Sequence, residues 1–270
     1  MRRLGLVALV VLLLMLAACG GGGAVERGEI SVAGSTTVQP LAELFAEAFM
    51  SDHANVQIDV QGGGSSTGVK AAAEETVDVG MVSREVRASE LVEYPHISIF
   101  IVAYDGIAIA AHRDVPVNDL TMDQVRDIFA GNLTRWSEVG GPDEPIIAVS
   151  REEGSGTRSA FEELVMGDAL IGEMAILQPS NGSVRTTVAT TPNAVGYLSF
   201  GYLDDSTKPM AVNGAAPTPA NVNNGSYPVV RPLNMLTSGT PEGLVKDWMD
   251  FIFSDAGQAI VAAEGFIPVR

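Results

Sequence analysis

Apolar positions come in short bursts along this chain, and their period changes repeatedly. Glu29 to Ala33 reads as a short strand, and the hydroxyl-bearing turn Gly34-Ser35-Thr36-Thr37 follows it. Val38, Leu41, Leu44, Phe45, Ala48 and Phe49 then recur at helical spacing. The same grammar repeats. Val56 to Gln61 alternates like a strand, Gly62 to Thr67 is a second Gly/Ser turn, and Val69 to Glu75 looks helical. Val77 to Val82 predicts a third short strand, ending at Ser83-Arg84, and Ile97 to Ala111 is an apolar stretch with room for two strands. Further on, Thr121 to Phe129 reads as a helix with Thr121 as its cap. Ile146 to Val149 predicts a strand, Arg151 to Thr157 another Gly/Ser turn, and Ser159 to Val165 a helix. Ala194 to Phe200 and Val229 to Leu236 are strand-like, residues 204–228 look like surface loop, and Leu244 to Phe253 is helical. Alternating strands and helices of this kind predict an α/β architecture.

The first residues belong to a different class. Met1-Arg2-Arg3 is a positive start, Leu4 to Leu16 is almost purely apolar, and Leu16-Ala17-Ala18-Cys19 follows. The apolar run is too short to cross a bilayer comfortably and reads as the core of a secretory signal peptide, residues 1–18. The Leu-Ala-Ala-Cys sequence resembles a bacterial lipobox. That resemblance implies cleavage before Cys19 and lipidation of its thiol, with residues 19–26, Gly-rich from Gly20 to Gly23, as a flexible tether. The protein is then expected outside the cytoplasmic membrane, held to it by lipid. The competing reading is an ordinary signal peptide with a chance cysteine.

Composition narrows the chemistry. The 270 residues carry a formal charge of −17, so a basic footprint for nucleic acid is missing. With one cysteine no internal disulfide can form, and three histidines leave little room for a His-rich metal site; no metal and no cofactor is expected. A P-loop is excluded, because Lys70 lacks the required glycine spacing before it and the Ser/Thr after it.

The candidate chemistry lies in three turns of one design, Gly34-Ser35-Thr36-Thr37, Gly64-Ser65-Ser66-Thr67-Gly68 and Gly154-Ser155-Gly156-Thr157. Each follows a strand and opens a helix. Helix N-termini leave N–H groups unpaired at the positive end of the helix dipole, where an anion is favoured. Glycine permits close backbone approach, and hydroxyls add donors. Taken singly, each turn is explained as an N-cap. Taken together, with Arg84 after one strand and Arg151 before the third turn, they suggest a tetrahedral oxyanion, whose geometry an arginine fork matches.

Gly34-Ser35-Thr36-Thr37-Val38-Gln39-Pro40, then Gly62 to Lys70, then Arg151 to Arg158, and finally Asn193-Ala194-Val195-Gly196-Tyr197 resemble, in order, segments of the phosphate-binding proteins of bacterial phosphate ABC importers. The resemblance implies the two-lobed, type II periplasmic-binding-protein fold, with a ligand cleft between lobes joined by a two-strand hinge. Lobe 1 would take residues 27–102 and 235–270, and lobe 2 residues 103–234, with the chain crossing near Ala103 and returning near Asn234. It implies inorganic phosphate as ligand, a membrane permease as partner, and a monomer that is not an enzyme. Carried over by position, Thr36 and Thr37, then Ser65, then Arg151, Ser155, Gly156 and Thr157 are contact residues, with Ser35 and Ser66 adjacent. Where well-known relatives carry an aspartate that accepts the proton of hydrogen phosphate, Ser83 stands here, with Arg84 next to it. Sulfate or molybdate therefore remains an alternative ligand, and a sensor or adhesin an alternative role.

Gly64-Ser65-Ser66-Thr67-Gly68 also fits the nucleophile elbow of a serine hydrolase. That chemistry needs a histidine base, usually late in the chain, and the three histidines are His53, His96 and His112.

Overall fold

A computed structural model describes residues 28–270. The expected signal peptide, Cys19 and the tether lie outside the described residues. One path of hydrogen-bonded strands runs through the whole molecule in the order β2-β1-β3-β10-β4-β8-β6-β7. Its first section is β1 (Gly28–Gly34), β2 (Val56–Gly62) and β3 (Val79–Val82), mutually parallel; the last is β6 (Ile147–Arg151), β7 (Ile176–Gln178) and β8 (Ala194–Ser199), also parallel. Helices connect these strands, as parallel pairing requires. α1 (Gln39–Asp52) follows β1, α2 (Ser65–Ala73) follows β2, and α6 (Asn181–Thr190) joins β7 to β8.

The joint between the two sections is made by β4 (Ile97–Ala111) and β10 (Val230–Ser238). The apolar stretch read as room for two strands is one continuous strand of 15 residues. Its first part, Ile97–Gly106, pairs antiparallel with β10, and its second part, Ile107–Ala111, pairs with β8. The register shifts between Leu233 and Asn234, whose partners are Ala103 and Ile101, so Val102 is the extra residue of a bulge on β4. The run passes without a turn from a partly exposed first half, with Ile99, Ile101 and Tyr104 at the surface, to a second half that is fully buried, so its apolar length alone could not reveal how many strands it makes.

Two hydrophobic cores flank this joint. One gathers Ile30, Leu41, Phe45, Met81, Ala103, Leu233 and Trp248. The other gathers Ile107, Phe129, Trp136, Phe161, Tyr197 and Val229. They part between Ala103 and Ile107 on β4, and between Val229, just before β10, and Leu233 within it. The architecture is α/β and two-lobed, and the chain passes between the lobes on two strands.

Local sequence accounts for most elements. In α1, Pro40 sits in the first turn, where its missing N–H costs nothing, and Leu41, Phe45 and Phe49 bury one face. In α4 (Met122–Ala130), Thr121 accepts from Gln124 N while the Gln124 side chain accepts from Thr121 N, a reciprocal cap. Two elements fall where the sequence predicted loop, β9 (Lys208–Val212) and the short α7 (Pro219–Asn223). β9 is recruited by pairing with β4 and β5 (Asp119–Leu120), a tertiary event that the polar, Pro-rich segment does not signal locally.

Gly34 ends β1 at φ +139°, and a Cβ there would lie 2.3 Å from the Met81 carbonyl oxygen and 2.8 Å from Gly68 Cα. Gly34→Ala is expected to lower stability by about 2–4 kcal/mol, through backbone strain plus overpacking. Urea denaturation should show a lower midpoint at an unchanged slope.

Candidate functional site

The three turns meet. β1 delivers Ser35, Thr36 and Thr37 to the joint between the cores, β2 delivers Ser65, β3 delivers Ser83, and β6 delivers Arg151 followed by Ser155, Gly156 and Thr157. All lie at or just beyond the carboxyl ends of parallel strands, where α/β sheets place ligands. Ser35, Thr37, Ser65, Ser83, Arg151, Ser155 and Thr157 are buried, and Thr36 is half-buried. Thr37 Oγ1 lies 3.1 Å from Thr157 Oγ1 across the joint. Ser66 N donates to the Gly154 carbonyl at 3.2 Å, tying the second turn to the third. Ser35 Oγ donates to Ser83 Oγ at 2.8 Å, and Ser83 N donates to Ser65 Oγ at 3.0 Å. A Cβ on Gly156 would come within 2.1 Å of Ser65 Oγ and 2.6 Å of Ser83 Oγ, so only glycine fits where the third turn faces the first lobe.

Arg151 is the group that gives this cluster its charge. Its Nε donates to the Gln178 carbonyl at 3.0 Å, and its Nη2 to the Pro179 carbonyl at 2.9 Å and to Thr36 Oγ1 at 3.3 Å. Nη1 is buried with no hydrogen-bond partner among the described residues. Among the described residues no carboxylate pairs with Arg151, unlike Arg84 and Arg231. Burial pushes its pKa down to about 10, against a smaller upward pull from Tyr197, and it stays protonated at neutral pH. Tyr197 braces the segment from beneath. Its ring stacks on Phe161 with centroids 4.0 Å apart, and its hydroxyl bonds Ser150 Oγ at 2.8 Å and accepts from Arg151 N at 3.3 Å.

The structure adds residues that the sequence reading did not single out. Arg231 on β10 donates to the Ser83 carbonyl at 2.9 Å, to Ser83 Oγ at 3.4 Å and to Thr37 Oγ1 at 3.3 Å. Its Nε and Nη2 also donate to Asp105 Oδ2 at 3.1 and 2.8 Å, and both residues are fully buried. Burial lowers the Arg231 pKa and raises that of Asp105, and each partner's charge opposes the shift in the other. The pair spans the gap between the two cores, linking the two crossing strands. A signal for it was present, since Asp105 and Arg231 are opposite charges inside otherwise apolar runs. Asn181 Nδ2 donates to Thr37 Oγ1 at 2.8 Å, and the Tyr202 hydroxyl donates to the Thr36 carbonyl at 2.6 Å. Neither has a sequence signature.

Arg84 is placed differently from the other candidates. Its terminal nitrogens form a bidentate pair with Glu90 at 2.8 and 2.7 Å, Nη1 also reaches the Glu85 carbonyl, and its Nε is buried without a partner. Ser66 is half-buried beside Gly154. The histidines bond elsewhere: His53 Nδ1 with the Phe49 carbonyl, His96 Nε2 with the Ala73 carbonyl, and His112 with Asp114.

A dry cluster of backbone and hydroxyl donors around an unpaired guanidinium suits a small, multiply charged anion. The family comparison bears on the same fold. Residues 21–256 match the model of the PBP superfamily domain. The chain belongs to the PBP superfamily. Within it the chain is PstS-like: it is 35% identical to the phosphate-binding protein PstS of Bacillus subtilis over 244 residues, 90% of this chain and 81% of that one. Among solved structures it resembles a putative phosphate ABC transporter substrate-binding protein from Clostridium perfringens, solved with bound phosphate, at TM-score 0.86 and 41% identity, covering 90% of this chain and all of that one. An ABC-type phosphate transport receptor from Vibrio cholerae matches at TM-score 0.75 and 32% identity, over 88% of this chain and 99% of that one.

Asp105→Asn would leave Arg231 buried without its counter-charge. For this PBP-superfamily chain the expected cost is about 3–5 kcal/mol of folding stability. Guanidinium denaturation against the parent protein measures it.

Proposed function

We propose that this protein binds inorganic phosphate between its lobes and delivers it to the membrane permease of an ABC importer. The observation that carries the reading is the buried Nη1 of Arg151, without a partner among the described residues, on a side chain whose Nη2 reaches Thr36 Oγ1 across the joint. A buried cation without a counter-charge is costly, and a dehydrated dianion offsets that cost directly. Thr36, Thr37, Ser65 and Ser83 offer donors from one lobe, and Arg151, Ser155, Gly156 and Thr157 from the other. The family membership and the phosphate named for the Bacillus subtilis and Clostridium perfringens relatives support the same ligand.

Because the donors come from two lobes, binding couples to a hinge motion about β4 and β10, with residues 27–102 and 235–270 moving against 103–234. The closed form is the signal that the permease reads. The protein works as a monomer outside the cytoplasmic membrane, tethered by lipid on Cys19 after removal of residues 1–18. The overall charge of −17 slows anion capture a little without preventing it, since salt screens it over about 8 Å.

Calorimetric titration of the phosphate-stripped protein should give one site per chain, with affinity in the micromolar range or tighter, about 8 kcal/mol or more. Arg151→Ala should weaken it by about 2–5 kcal/mol, the usual loss when one partner of a buried charged contact is removed. No phosphate binding by the parent protein, or an unchanged affinity in the variant, contradicts the reading. The anchor has its own check: a Cys19→Ala protein should leave the membrane fraction on cell fractionation while keeping its phosphate affinity.

A further inference from the structure

Three consecutive residues, Phe200, Gly201 and Tyr202, form a short turn after β8, and each touches the first lobe or the strand that leads to it. Phe200 N donates to Asp105 Oδ1 at 3.1 Å, and the Phe200 ring lies against Gly106. Both partners sit on β4, where the chain passes between the cores. Gly201 faces the ring of Phe266, a member of the first core, and a Cβ on Gly201 would come within 2.4 Å of that ring. The segment carrying Phe266 is itself fastened to β4, since Tyr104 N donates to the Ile267 carbonyl at 2.8 Å and Ile267 N to the Tyr104 carbonyl at 2.9 Å. Tyr202 reaches furthest, and its hydroxyl donates to the Thr36 carbonyl at 2.6 Å. Burial pushes the Tyr202 pKa up to about 12, so at neutral pH the hydroxyl keeps the proton it donates.

The Thr36 carbonyl is open to Tyr202 because of Pro40. In the helical pattern a carbonyl accepts from the N–H four residues on. The Ser35 carbonyl receives Gln39 N at 3.0 Å in this way, and the Val38 carbonyl receives Ala42 N at 2.9 Å. For Thr36 the donor would be residue 40, a proline, which has no N–H to give. Tyr202 supplies the missing proton from the opposite lobe. Thr36 is also where Arg151 Nη2 arrives, on Oγ1 at 3.3 Å. The second lobe therefore grips the first anion turn by a carbonyl and a hydroxyl of one residue. Arg185 steadies the turn from its own side, with Nη1 donating to the Tyr202 carbonyl at 3.4 Å and pairing with Asp204 at 3.0 Å.

Resting on the reading of this cluster as the anion site, we propose that the turn Phe200–Tyr202 is a clasp on the closed cleft, in which Tyr202 is a positioning residue that holds Thr36 in place and slows phosphate release. The ion enters before the lobes meet, so the clasp takes no part in entry. It has to break before the ion leaves. Once the cleft opens, water takes the Thr36 carbonyl, so the clasp bond is worth one neutral hydrogen bond and not the full cost of an orphaned acceptor. Gly201 is the clearance on which the clasp shuts. Its φ is not positive, so alanine strains no backbone there and meets only the Phe266 ring, held in a close-packed core.

The test loads the protein with radiolabelled phosphate and follows its release under a chase of unlabelled phosphate. Equilibrium dialysis gives the dissociation constant, and the two together give the association rate. Tyr202→Phe keeps the ring and loses the bond; release should quicken about threefold to tenfold, with association unchanged. Gly201→Ala leaves the Tyr202 hydroxyl intact and should quicken release as well, because the closed cleft no longer shuts on Phe266. Adding Phe266→Leu to Gly201→Ala removes the ring edge in the way and should restore slow release, a rescue that general damage to the site does not allow. Unchanged release in Tyr202→Phe overturns the clasp, as does a loss that falls on association instead, or a Gly201→Ala defect that Phe266→Leu does not relieve. A parent protein that binds no phosphate overturns the anion-site reading and the clasp with it. A parent that binds phosphate, with release untouched by Tyr202→Phe, leaves that reading standing and removes the clasp alone.

Discussion

A single uncompensated cation organises the centre of this molecule. Arg151 is buried with one terminal nitrogen unpartnered, while Arg231 beside it is neutralised by Asp105. The difference between the two arginines matters more than their number. A paired guanidinium is part of the scaffold. An unpaired one in a dry setting is a standing demand for an anion, because burial of charge is costly until something offsets it. The hydroxyls and backbone amides around Arg151 then decide the shape and the hydrogen-bonding polarity of what can meet that demand.

The fold supplies this arrangement economically. Parallel strands end together, so β1, β2, β3 and β6 carry their following turns to one place. The turns use glycine where neighbours approach closely: a Cβ on Gly34 or Gly68 would meet the Met81 carbonyl, and one on Gly156 the Ser65 and Ser83 hydroxyls. The two crossing strands bring Asp105 and Arg231 into the gap between the two cores. From that gap Arg231 reaches Ser83 and Thr37, so the element joining the lobes is bonded directly to the donors of the site.

Much of this was legible in the chain itself, for identifiable reasons. Strand, Gly/Ser turn and helix repeat with clear changes of period, and the turns carry their chemistry within four or five consecutive residues. Thr121 announced its helix because capping is local. What escaped was long-range. β9 exists only by pairing with β4 and β5, and Asn181 matters only because α6 starts opposite Thr37, which is 144 positions away in sequence. The pairing of Asp105 with Arg231 spans 126 positions. Arg84 is held differently from Arg151: the local helix Ala88–Glu93 supplies Glu90 as a bidentate partner to its terminal nitrogens, while its Nε is buried without a partner among the described residues.

The most direct test of the account is a crystal structure of the protein grown with phosphate. The account predicts one phosphate ion between the cores, its oxygens within hydrogen-bond distance of Arg151 Nη1, the Ser83 hydroxyl and the Gly156 backbone amide together. A phosphate lodged elsewhere, or a structure in which Arg151 Nη1 turns instead to a carboxylate of the protein, would contradict it.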